Sequence, residues 1–110
     1  MRLSTDLWVY ALVRRAQLAG AYATIVRKGD ARGGAVLVKT FDPKSREARL
    51  YAQALSRDGE SIWMQPISST VESDLDAYAE RAGQRDPDIW VVEIEDSDAR
   101  RFLTAPLEED

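Results

Sequence analysis

Residues 22–67, YATIVRKGDARGGAVLVKTFDPKSREARLYAQALSRDGESIWMQPI, decide the fold. Four β-rich runs lie in this stretch: Tyr22 to Arg27, Ala35 to Phe41, Ala48 to Leu55 and Ser61 to Ile67. Each is bounded by turn chemistry. Lys28-Gly29-Asp30-Ala31-Arg32-Gly33-Gly34 reads as a hairpin loop, Asp42-Pro43-Lys44-Ser45 as a turn and Arg57-Asp58-Gly59 as another. Consecutive strands with short connections predict an antiparallel meander. Pro66 has no backbone N–H to donate, so it belongs at a strand end or a sheet edge.

Upstream, Thr5 to Ala19 has the pattern of a helix, with Ser4, Thr5 or Asp6 available as N-cap and Gly20 as its stop. Asp6, Tyr10, Arg14 and Gln17 form one narrow polar stripe, and most of the remaining girth is apolar. Leu12, Ala16 and Ala19 are assigned to the core. Leu7, Ala11 and Leu18 form a separate flank with Arg15 beside it, a candidate interface for a second copy or another protein. Arg15 reads either as an anion clamp or as a snorkelling or internally paired side chain.

Downstream, Ser69-Thr70-Val71-Glu72 matches a capping box that opens a second helix, and Gly83 is its expected end. Val71, Leu75, Tyr78 and Ala82 make a single apolar stripe. A last strand runs from Asp88 to Glu95, with Trp90, Val92 and Ile94 alternating onto the face toward the helices. A helical turn over Ala99 to Leu103 follows, then an acidic tail, about 105–110, expected to fray. The order α-β-β-β-β-α-β predicts an α+β, two-layer domain: a mostly antiparallel sheet of about five strands with two helices on one face.

With 110 residues and no linker or repeat, residues 1–110 form a single domain able to bury its own core. The chain has no cysteine and no histidine. That excludes disulfides, thiolate nucleophiles, zinc–thiolate sites and imidazole-based triads. No cofactor is expected, and an enzyme is disfavoured. The apolar run Leu7 to Val13 sits between Asp6 and Arg14-Arg15, too short for a membrane span and unlike a leader. The expected compartment is the cytoplasm.

The net charge of −4 hides an asymmetry: residues 1–57 carry +7 and residues 58–110 carry −11. Either the two halves present opposed surfaces, or they interleave in the sheet and neutralise each other. Arg27, Lys28, Arg32, Lys39 and Arg49, with Phe41 and Tyr51 interleaved, are candidate nucleic-acid contacts, although the acidic pI near 4.9 opposes that reading. Glu93, Glu95, Asp96 and Asp98 form a candidate acidic cluster, either a cation or acid–base site or ordinary solvated carboxylates. The glycine loop lacks the Gly-Lys-Ser/Thr ending of a phosphate loop and precedes a strand, so it does not read as a nucleotide site.

Two stretches, Leu7-Trp8-Val9-Tyr10-Ala11-Leu12-Val13-Arg14-Arg15 with Gly20, and Asp86-Pro87-Asp88-Ile89-Trp90-Val91-Val92-Glu93-Ile94-Glu95-Asp96, resemble an alphaproteobacterial family of short proteins, domain of unknown function family 1491. The similarity runs essentially end to end. It implies origin and fold and carries over no activity, substrate or cofactor. The residues themselves favour a non-enzymatic interaction domain whose partner is a protein. The alternatives are a nucleic-acid binder through the basic hairpins and, behind it, a carboxylate–metal enzyme.

Overall fold

A computed structural model describes residues 4–55 and 61–103. Helix α1 (Thr5–Leu18) is followed by strands β1 (Tyr22–Arg27), β2 (Val36–Phe41), β3 (Ala48–Leu55) and β4 (Ser61–Met64). Helix α2 (Glu72–Arg85), strand β5 (Trp90–Glu95) and the 3-10 turn η1 (Ala99–Phe102) complete it. The α+β class and the order α-β-β-β-β-α-β are as the sequence predicts. The expected turn at Arg57-Asp58-Gly59 and the acidic tail with Leu107 lie outside the described residues.

The sheet order is β1-β5-β2-β3-β4. Strands β2, β3 and β4 form the expected meander, but β1 and β2 do not pair. The last strand enters between them, antiparallel to β1 and parallel to β2. The loop Lys28 to Gly34 is therefore a bridge across the end of β5, not a hairpin turn. Its glycines follow from that position: a Cβ on Gly29 or Gly34 would lie 2.0 or 1.9 Å from the Asp88 carbonyl oxygen. Asp30 N–H donates to that same carbonyl at 2.9 Å, and the Trp90 indole N–H donates to the Asp30 carbonyl at 2.8 Å.

The two helices lie on opposite faces of the sheet, which corrects the two-layer expectation. Val36, Val38, Trp90, Val92 and Ile94 pack with Val9, Leu12 and Ala16 of α1. Leu37, Leu50 and Val91 pack with Leu75 and Ala82 of α2. Alternate residues of a strand point to opposite faces, so Val91 and Val92 must serve different layers. The physical reason was present in the unbroken apolar runs Val36-Leu37-Val38 and Trp90-Val91-Val92, the pattern of strands buried on both sides.

Helix α1 ends in a Schellman arrangement: Ala21 N–H reaches the Ala16 carbonyl, Gly20 N–H the Gln17 carbonyl, and Gly20 takes φ of 90°. Ala19, assigned to the core by periodicity, is exposed because it already caps the helix. At the other end the bridge loop satisfies the orphan donors, with Asp6 N–H on the Ala31 carbonyl and Thr5 N–H on that of Arg32. The capping box of α2 does not form. Val71 is the N-cap, while the Ser69 hydroxyl accepts from Val71 N–H and donates to Asp74. Gly83 does not stop α2 but lies buried in its last turn. Strand β4 is shorter than expected, and Pro66 follows it on the sheet edge, as its chemistry requires.

Candidate functional site

Among the described residues, the outward flank of α1 exposes two large aliphatic side chains, Leu7 and Leu18. Val9, Leu12 and Ala16 point inward and are fully buried, so the 3.6-residue period aims Leu7, Ala11 and Leu18 at solvent. Leu7 is 54% exposed and Leu18 74%. Ala11 and Arg14 lie between them and are also exposed. Arg15 stands at the border of this flank, its guanidinium donating to the Phe102 carbonyl at 3.4 Å. Phe102 and Leu103 are buried against the inner side of α1 and do not cover the stripe. Beyond α1, the edge strand β1 also exposes Tyr22 and Val26.

The five basic candidates are not gathered on one surface. A register shift between Ile25 and Arg27 turns Arg27 onto the α2 face. There its guanidinium donates to the carbonyls of Gly83 at 3.1 Å and Pro87 at 3.4 Å, closing the end of α2. Gly83 has no side chain because Arg27 occupies that space. Lys39 is 4% exposed and lies under α2, ion-paired to Asp76 at 2.6 Å, Glu72 at 3.0 Å and Glu93 at 3.3 Å. Arg49, paired to Glu47 at 3.3 Å, belongs to the opposite face, and Lys28 and Arg32 are exposed on the bridge loop.

The acidic candidates divide in the same way. Glu93 turns to Lys39, while Glu95 is exposed on the same face. Asp96 pairs with Arg101, which holds its carboxyl below the ordinary range. Asp98 sits beyond it at the start of η1. Among the described residues, no group of three or more carboxylates is placed to share a metal ion. The three that do converge, Glu72, Asp76 and Glu93, converge on the ammonium of Lys39. Burial opposes that charge most strongly, but the hydrogen bonds the ammonium donates to Asp76 and Glu72 and the field of Glu93 outweigh it and raise the pKa.

Sequence reasoning missed a polar cleft of about 380 Å³ at the end of the sheet, between the turn after β2 and η1. Its floor includes Thr40, Tyr51 and Trp63, and the guanidiniums of Arg49 and Arg100 flank it. Thr40 pairs with Arg49 and Val38 with Tyr51 across the β2–β3 ladder, which puts these side chains on one face. Strand alternation could have grouped Thr40, Arg49 and Tyr51. Nothing local in the sequence joins them to Arg100.

The family model described as "Protein of unknown function (DUF1491)" matches residues 3–104. The chain belongs to the DUF1491 family. A crystal structure of a DUF1491 family protein from Caulobacter crescentus CB15 is 65% identical, with a TM-score of 0.93 over 97% of this chain and all of that one. An NMR structure of a DUF1491 family protein from the same organism gives 65% identity and a TM-score of 0.90, covering 99% of both chains. The solution structure of protein Atu0922 from A. tumefaciens is 28% identical, with a TM-score of 0.81 over 100% of this chain and 99% of that one. Comparison with curated proteins gives no match. The DUF1491 membership carries the expected fold and origin and assigns no role to any of the side chains above. Among the described residues, no helix is long and apolar enough to cross a membrane.

Proposed function

We propose that this chain is a non-enzymatic, cytoplasmic protein-binding domain that associates with a second copy of itself through the outer flank of α1. The exposed stripe of Leu7, Ala11 and Leu18 carries this reading. Single surface leucines are ordinary, but a stripe that continues over three turns is the kind of patch that marks an interface. Its spacing is self-complementary. Leu7 and Leu18 are equidistant from a point between Leu12 and Val13, and so are Ala11 and Arg14. A twofold axis there sets two α1 helices antiparallel, with Leu7 against the partner's Leu18 and the small Ala11 under the stem of the partner's Arg14. The antiparallel helix dipoles favour the same arrangement.

The absence of histidine and cysteine supports a role without thiolate or imidazole chemistry, and a cysteine-free chain suits a reducing compartment. Four side chains per copy fall short of the roughly 800 Å² per partner of a standard interface, so the association is expected to be weak. Light scattering from about 10 to 500 μM is expected to show mass rising toward a dimer, and Leu7→Glu with Leu18→Glu to hold the protein monomeric. A mass that stays monomeric throughout, or a double variant that dimerises like the parent, would contradict the reading.

A further inference from the structure

The cleft beyond the end of β2 is chemically distinct from the α1 flank and independent of it. Tyr51 is 4% exposed and Thr40 9%, yet neither hydroxyl has a hydrogen-bond partner among the described residues, and both residues line the cleft. Among the described residues Arg27 Nε is the one side-chain polar atom both sealed from solvent and without a partner, so these hydroxyls are not sealed in the core, and the cleft lined by both residues has a polar floor. Burial raises the pKa of the Tyr51 phenol, which keeps its O–H available as a donor. Arg49 from β3 and Arg100 from η1 also line the cleft, and the positive charge of each opposes that rise. Among the described residues Arg49 has only its exposed pair with Glu47, a weak commitment, and Arg100 forms no ion pair. Two hydroxyl donors and two guanidiniums around one space are the donor set for a carboxylate.

Carboxylates share the lining: Asp42, Glu47, Asp96 and Asp98. Glu47 is paired with Arg49 and Asp96 with Arg101, which leaves Asp98 and Asp42, whose carboxyl the Lys44 backbone N–H holds below its ordinary range, to meet a cation. A simple anion in the cleft would lie near carboxylates as well as guanidiniums. A molecule that also carries a cationic group would be attracted at both ends. We propose that this cleft binds a small zwitterion of the α-amino-acid or short-peptide class, its carboxylate on Tyr51, Thr40, Arg49 and Arg100 and its ammonium group on Asp42 and Asp98. A volume of about 380 Å³ accommodates a ligand of that size.

The test is a two-dimensional NMR titration of the ¹⁵N-labelled protein at constant ionic strength. The probes are L-alanine, glycylglycine, acetate and ethylammonium. The proposal expects saturable shifts centred on Tyr51, Trp63 and Ala99 with at least one zwitterion, and affinity for acetate and for ethylammonium lower by about 5-fold or more. Tyr51→Phe and Arg100→Ala should each weaken the zwitterion by about 5-fold or more while leaving signals remote from the cleft in place. Absence of any saturable shift with either zwitterion would overturn the proposal. So would acetate binding as tightly as the zwitterions, which would mark a plain anion site, or variants that bind like the parent.

Discussion

Lys39 shows how much one residue's role depends on its neighbours across the sheet. Along the chain it is one cation in a basic stretch. In the fold it lies between Leu37 and Phe41 on the α2 side, where only a charged partner can offset the loss of water. Its pKa is raised above the ordinary 10.5, so its stabilising contribution is fully present below that value and lost as pH rises through the higher folded value. Lys39→Met is expected to cost about 1–3 kcal/mol near neutrality, less than a wholly buried pair would because the three carboxylates keep substantial exposure. Urea titrations of both proteins from pH 8 upward check this: the difference should shrink only at strongly alkaline pH. A difference already gone at pH 8 would contradict it. This placement was not legible beforehand, because it required knowing that a helix covers that face.

Trp90 was legible. Alternation along the last strand predicted Trp90, Val92 and Ile94 on one buried face, and all three are buried there against α1. Trp90→Ala should cost about 3–5 kcal/mol by chemical denaturation, and a variant of parental stability would refute the packing described.

At the scale of elements, the sequence located nearly every helix and strand, because each keeps its own period and is punctuated by Gly, Pro or Asp. What local pattern could not supply was who pairs with whom. A hairpin and a bridge over an intervening strand use the same turn residues, and only the arrival of β5, more than fifty residues after the bridge loop, separates them. The bridge leaves its own signature in Gly34. Gly34→Ala would push a Cβ into the Asp88 carbonyl and force the loop off the end of β5, at an expected cost of about 1–3 kcal/mol. Gly33→Ala meets nothing within 4 Å and should be close to neutral. Thermal melts of the pair decide the matter; equal effects at the two positions would mean the loop does not press on β5.

At the scale of the molecule, the charge asymmetry resolves into the fold. Strand β5, from the acidic half, lies between β1 and β2 of the basic half, and Lys39 draws three carboxylates from the acidic half onto itself. The two candidate surfaces differ in how far the sequence shows them, for a related reason. The α1 flank is a local helical pattern, visible along one element, whereas the cleft joins β2, β3, β4 and η1 and exists only once they assemble. Leu7 and Leu18 are eleven residues apart on one straight helix, about 16 Å, too far for a nuclear Overhauser effect within a chain. In a concentrated mixture of ¹³C-labelled and unlabelled protein, an isotope-filtered experiment is predicted to show contacts between Leu7 methyls of one copy and Leu18 methyls of the other. A sample shown to be dimeric whose intermolecular contacts avoid both leucines would contradict the account.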